Sequence, residues 1–267
     1  MKYTIVTTFH ADGYKQYGKR MIQTFLQNWP SDVQLYVYAE SCDVKESAPN
    51  LHVFNLAEAS LELVAFKAKW AGVPKANCDV SGDALRASRK DAGKGFKWDA
   101  VRFAHKVYSI FAAAKTCNTN WLLWMDADTV CHSPITIEKL DQFCPVDKEL
   151  CFLGRKRKYT ECGLYAMNLQ SQSVQRWLWD FQRLYDEAEN GIFNLMEWHD
   201  SFVFDTVRKN HALHELDWAN GIIEGEGHPL INCEWGAYLD HLKGARKDQG
   251  RSNLLDLKIK RTEAYWQ

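Results

Sequence analysis

Residues 121–132 read WLLWMDADTVCH. The apolar run Trp121 to Met125 leads straight into Asp126, Ala127 and Asp128. Such a run reads as a strand entering a core, yet it ends on a pair of carboxylates that repel each other and resist desolvation. In a sheet of parallel strands, ligands gather beyond the carboxyl ends of the strands, so a polar cluster there is positioned for chemistry. Two carboxylates at i and i+2 can share a divalent cation, and the cation removes the repulsion. A bare DxD triplet also fits an exposed turn with two acids, so the surrounding chain has to decide between these readings.

Upstream of this run the chain alternates in type. Lys2 to Thr8 (KYTIVTT) is β-rich; His10, Asp12 and Gly13 signal a loop; Tyr17 to Trp29 carries apolar residues at helical spacing. Val33 to Ala39 and Leu51 to Leu56 read as further strands. That alternation predicts a doubly wound α/β sheet, Rossmann-like and mostly parallel, flanked by helices. From Lys67 to Lys97 the pattern dissolves, with eight basic residues against three acids, which reads as a functional loop or a partly disordered one. A helix follows over Trp98 to Ala114, with Arg102 and Lys106 spaced i, i+4.

Downstream, Cys151 to Gly154 and Cys162 to Asn168 read as strands, and Val174 to Tyr185 as an amphipathic helix whose tryptophans belong to the core. A second helix is expected from about Trp198 to Asn210, then a loop-rich tail with a basic C-terminus.

The 267 residues, 46% hydrophobic and 13% aromatic, suffice for one large α/β domain, or for a domain with an appended lobe. With 33 basic and 34 acidic residues the chain as a whole has no electrostatic preference for nucleic acid. Eight cysteines stand singly without a CxxC pair, which disfavours a zinc or redox motif and reads as small buried hydrophobes. The N-terminal apolar run is too short for a secretory signal and no stretch reaches the length of a membrane span, so the expectation is a soluble, cytoplasmic protein.

The acids do not stand alone. His241, Gly244 and Lys247 in HLKGARK fit HxxGxxK. The strand with its acids resembles the DxD motif of GT-A fold glycosyltransferases, and HLKGARK resembles the C-terminal motif of the glycogenin and lipopolysaccharide galactosyltransferase family, in the family order. The chain departs from that pattern after the lysine, where Asp248 and Gln249 stand in place of the usual Pro and Trp.

The resemblance implies a single GT-A type domain over residues 1–267, with a nucleotide-sugar-binding half at 1–130 and an acceptor half at 131–267. It implies Mn²⁺ or Mg²⁺ held by Asp126, Asp128 and His241, a choice that oxygen and imidazole donors suit. Asp126, Gly244 and Lys247 would meet the diphosphate of a UDP-sugar donor, the lysine as a point charge. Thr7, Thr8 and Phe9 would meet base and ribose, unless they are ordinary strand-end residues. Asp99 and Arg102 resemble an acid and arginine aimed at the donor sugar, or are a surface i, i+3 pair. Glu161, Cys162 and Gly163 stand where the family has a small-residue strand beside the sugar. Asp200 either points at the sugar or caps its helix.

The implied reaction moves a hexose to a hydroxyl with retention of configuration; an inverting enzyme would need a base, with Asp200 or Glu161 the first candidates. Basic clusters at Lys67 to Lys97, Arg155 to Lys158 and the tail suggest an anionic acceptor polymer, a hydroxymethylated base in viral DNA ahead of lipopolysaccharide or another glycan. Charge runs of this kind are usually solvated faces. The rivals are a sugar nucleotidyltransferase, which wants a Gly-rich, Arg-containing loop where this chain has FHADGYKQYGKR, and a sugar-nucleotide-binding protein without turnover.

Overall fold

The computed structural model describes residues 1–225 and 227–267; Glu226, in the loop-rich tail, lies outside them. Its strands are β1 (Tyr3–His10), β2 (Gln34–Glu40), β3 (Leu51–Asn55), β4 (Trp121–Met125), β5 (Thr129–Cys131), β6 (Leu150–Leu153), β7 (Glu161–Asn168), β8 (Glu215–Asp217) and β9 (Leu239–His241). Seven of them form a central sheet in the order β3-β2-β1-β4-β7-β6-β8, and β5 pairs with β9 in a small separate ladder. β1, β2, β3 and β4 run parallel, and β6 and β8 are parallel to each other. β7 alone runs antiparallel to both neighbours, β4 and β6. The sheet is mostly parallel, flanked by helices on both faces, and continuous across residue 130.

Burial on both faces explains why β4 carries no polar residue. Leu122 and Trp124 enter one core cluster and Trp121, Leu123 and Met125 the other. The first cluster holds the helices Ala100–Thr116 and Gln172–Asp186; the second holds the helix Lys19–Asn28 and the tail. Trp177 is fully buried, but Trp179 is 62% exposed with the Arg183 guanidinium over its ring, so the helix places only one of its tryptophans in the core.

Several elements differ from the sequence reading. No loop follows β1: His10 accepts a hydrogen bond from Gly13 N–H, and helix runs on through a π-turn at Tyr14–Gly18 into Lys19–Asn28. The expected Lys67 to Lys97 loop starts inside a helix, Leu61–Trp70, capped by Ser60. The rest of the excursion is pinned by ion pairs, as set out below. Asp200 is the first residue of its helix, with His199 in the cap position. The tail contributes β9, which carries His241. All eight cysteines are free thiols, five of them buried. No helix among the described residues is long and apolar enough to cross a membrane.

Candidate functional site

β4 delivers Asp126 to the end of the sheet, where its N–H donates to the Gly163 carbonyl at 2.8 Å. The chain then turns, Thr129 N–H donating to the Asp126 carbonyl, and enters β5. β5 pairs antiparallel with β9, in register Thr129 to His241. Leu242 N–H donates to the Asp128 carbonyl at 2.8 Å. That clasp sets the imidazole of His241 against both aspartates: Nε2 is 3.1 Å from Asp128 Oδ1 and 3.4 Å from Asp126 Oδ2. One ligand atom from each of Asp126, Asp128 and His241 lies within 4.8 Å of the others. Two carboxylate oxygens and an imidazole nitrogen are a donor set that fits Mn²⁺ or Mg²⁺.

Charge is balanced here by protein cations. The Lys106 ammonium lies 3.1 Å from Asp126 Oδ1 and 2.7 Å from Asp200 Oδ2, and donates to the Cys162 carbonyl. It also stands 4.7 Å from the Trp124 ring centroid. Burial alone would neutralise this amine, but Asp126 and Asp200 hold it charged. Burial likewise opposes ionisation of Asp126, and Lys106 and His241 more than reverse it. Asp128 is kept ionised by His241 and by Lys247, whose Nζ is 3.0 Å from Oδ2. Against burial, the same two aspartates raise the His241 imidazole to about 9.

Apart from the buried His241, these groups form one wall of a cleft of about 420 Å³ lined by Thr8, Phe9, Tyr17, Arg102, Lys106, Trp124, Asp126, Asp128, Asp200 and Lys247, among others. Thr8 donates its hydroxyl to the Tyr38 carbonyl, leaving its lone pairs available. Lys247 Nζ sits 4.8 Å over the Tyr17 ring, which the π-turn turns into the cleft. Gly244, at φ +59°, makes the bend between His241 and Lys247. Phe103 also lines the cleft, and beyond it Phe103, Phe96, Tyr159 and Phe202 surround the His199 ring.

Of the expected residues, Thr7, Asp99, Glu161 and Gly244 do not line the cleft. Thr7 is fully buried in β1. Asp99 caps the helix Ala100–Thr116 by accepting from Arg102 N–H at 3.1 Å, so the two are linked through backbone and not as a side-chain pair. Glu161 lies behind His241, its Oε1 3.8 Å from Nδ1, with Lys243 and Arg155 on its other oxygen. Lys106 is a cleft residue that the sequence reading noted only for its i, i+4 spacing to Arg102; the signal was a lysine on the otherwise apolar side of a core helix.

The basic clusters are largely engaged within the protein. Arg86 pairs with Asp83, Arg89 and Lys97 with Asp91 and the buried Glu197, Lys156 with Glu224, Arg246 with Asp256, and Arg261 with the Ile231 carbonyl and Glu263.

No family model and no curated protein matches the chain. Among solved structures, similar ones are glycosyltransferases. GlyE of Streptococcus pneumoniae TIGR4 shows 9% identity and a TM-score of 0.45, over 81% of this chain and 45% of its own. WbbM, a bifunctional enzyme, shows 9% identity and a TM-score of 0.48, over 81% of this chain and 38% of its own. A glycosyltransferase involved in glycosylation of the major capsid of PBCV-1 shows 11% identity and a TM-score of 0.46, over 93% of this chain and all of its own. The chain spans less than half the length of the first two. What carries a functional reading is therefore the set of side chains in the cleft.

Proposed function

We propose that the protein is a metal-dependent glycosyltransferase of GT-A type, moving a hexose from a nucleoside diphosphate sugar, UDP-linked by resemblance, to an acceptor hydroxyl. The observation that carries this is the convergence of Asp126, Asp128 and His241 on one point of the cleft wall, with Lys247 beside them. A bound Mn²⁺ or Mg²⁺ supplies positive charge to the departing diphosphate. Lys247 adds a second positive charge to the same oxygens, in a cleft where such charges act more strongly than in water. Thr8 and Phe9 suit the nucleoside, Thr8 by accepting from a sugar hydroxyl. Arg102 and Asp200 suit the transferred hexose, Asp200 being fixed by Lys106 and Ser201 N–H.

Retention is supported by the state of the two carboxylates that an inverting enzyme would use as base. Asp200 is ion-paired to Lys106, and Glu161 is buried against Lys243 and Arg155. With both engaged, the leaving phosphate is the base that the resemblance offers for the acceptor proton. The uninterrupted helix after β1 also speaks against a nucleotidyltransferase, whose phosphates would need a glycine-rich loop there.

For the acceptor, the case for an anionic polymer rested on basic clusters that are now engaged with protein partners. That removes the reason to rank DNA above lipopolysaccharide or another glycan. The aromatic group around His199, next to Asp200, favours a sugar ring approaching from that side.

The test is thermal stability with nucleotides and nucleotide sugars, with and without Mn²⁺. UDP should raise the melting temperature only with metal, and Asp128→Ala should abolish the effect; stabilisation indifferent to chelator would overturn the metal site. Radiolabelled donor offered to hydroxymethylated DNA, unmodified DNA and lipopolysaccharide then identifies the acceptor, and metal-dependent donor hydrolysis without acceptor separates an enzyme from a binding protein.

A further inference from the structure

Glu161 stands outside the donor cleft yet is 3% exposed, and its two oxygens face different partners. Oε2 forms an ion pair with Lys243 and lies 3.5 Å from Arg155 Nη1. Oε1 accepts from Gly163 N–H at 3.3 Å and faces His241 Nδ1 at 3.8 Å. That Nδ1 is buried and has no hydrogen-bond partner, in a side chain only 1% exposed. The backbone on either side of the ring is fixed, because the His241 carbonyl accepts from His228 Nε2 at 2.9 Å and from Lys243 N–H at 3.0 Å. The slot for the ring exists only because residue 163 is glycine: a Cβ there would come within 2.4 Å of His241 Cε1 and Nδ1.

The imidazole is therefore held between two acidic sides. Nε2 points at the aspartates, so a cation held with them would take the Nε2 lone pair and leave the ring proton on Nδ1. A buried N–H needs an acceptor, and the group facing it is Glu161. The gap exceeds a hydrogen bond by less than about 1 Å.

We infer that Glu161 is a positioning residue for the metal ligand, accepting the Nδ1 proton of His241 and so fixing both the tautomer and the angle of the ring. This rests on the metal site of the proposed function and deepens it. It also gives Glu161 a role that needs no contact with substrate. Lys243 and Arg155 occupy its other oxygen, which leaves Oε1 facing the ring. An imidazole so buttressed is a stronger and better-aimed ligand, and loss of such a partner weakens metal binding about 10- to 100-fold in comparable sites.

The experiment is Mn²⁺ titration of the full chain followed by the electron paramagnetic resonance of free Mn²⁺. Glu161→Met, close in size and without an acceptor, should weaken binding about 10- to 100-fold. Glu161→Gln, which keeps an oxygen for Nδ1–H, should recover much of that loss. Where Glu161→Met alone does not fold, Glu161→Met combined with Lys243→Met removes the orphaned ammonium and should show the same weakening. In Mg²⁺-loaded protein, two-bond ¹H–¹⁵N spectra should show His241 protonated at Nδ1, and mixed tautomers in the methionine variant. Methionine variants that bind Mn²⁺ as the parent does, or a glutamine variant as impaired as the methionine one, would overturn the inference while leaving the metal site standing. A parent chain that binds no Mn²⁺ overturns both.

Discussion

Lys106 Nζ lies 2.7 Å from Oδ2 of Asp200, a residue 94 positions further along the chain, and the same ammonium reaches Asp126 at 3.1 Å. A single buried cation thus ties the central helix, the end of β4 and the start of the helix Asp200–Arg208. Lys106→Met should destabilise the metal-free protein by about 3 kcal/mol, because it removes the buried cation from two largely buried carboxylates. Chemical denaturation measures this. Mn²⁺ should restore more stability to the variant than to the parent, since the ion then offsets charge that Lys106 no longer balances.

Gly163→Ala tests the slot behind His241. The new methyl would lie 2.4 Å from the His241 ring, so the ring has to move. The expected result is Mn²⁺ affinity reduced by about tenfold or more, with a stability loss of about 1–3 kcal/mol from overpacking. Titration calorimetry and thermal denaturation read the two effects separately.

Asp99→Ala separates a helix cap from a sugar contact. Its carboxylate accepts from Arg102 N–H, so its loss should cost about 1 kcal/mol of stability and leave kcat within about twofold. Arg102→Ala, which removes a side chain lining the cleft, should instead raise KM for the donor.

Acid should unfold the protein through identifiable groups. Hydrogen bonding from His105 holds Glu40 down at about 2, and although burial opposes it, His199 and Lys97 hold Glu197 at about 2 as well. Both lie below the ordinary 4.5, so the folded state binds fewer protons than the unfolded one. The stability they contribute is complete above pH 4.5 and is lost as the pH falls toward 2. Each should account for something on the order of 2 kcal/mol. Urea titrations between pH 6 and 3 should show the fall, with a shallower slope in Glu197→Gln.

The legible parts of this protein were those that local pattern controls. WLLWM reads as a strand because both its faces meet a core, and DAD reads as a ligand pair because HLKGARK repeats a known spacing. The sheet's parallel half followed from strand and helix alternation. What pattern could not supply was pairing at a distance. The short β5 and β9 carry too few residues to show alternation, so the ladder that brings His241 to the aspartates was invisible, although the residues themselves were named. Lys106 was hidden because burial of its ammonium depends on acids far off in sequence. The stretch from Lys67 to Lys97 read as loose because its order comes from ion pairs to Asp91 and Glu197, and from Trp198 N–H donating to the Lys97 carbonyl, none of which leaves a periodic trace.

The ladder of β5 and β9 also governs when the site can come into being during synthesis. Asp126 and Asp128 leave the ribosome long before His241, and the central sheet does not include β9. A nascent chain that has reached only β8 holds the acidic half of the centre with no imidazole opposite. On the proposed function, the site is complete only once this ladder closes.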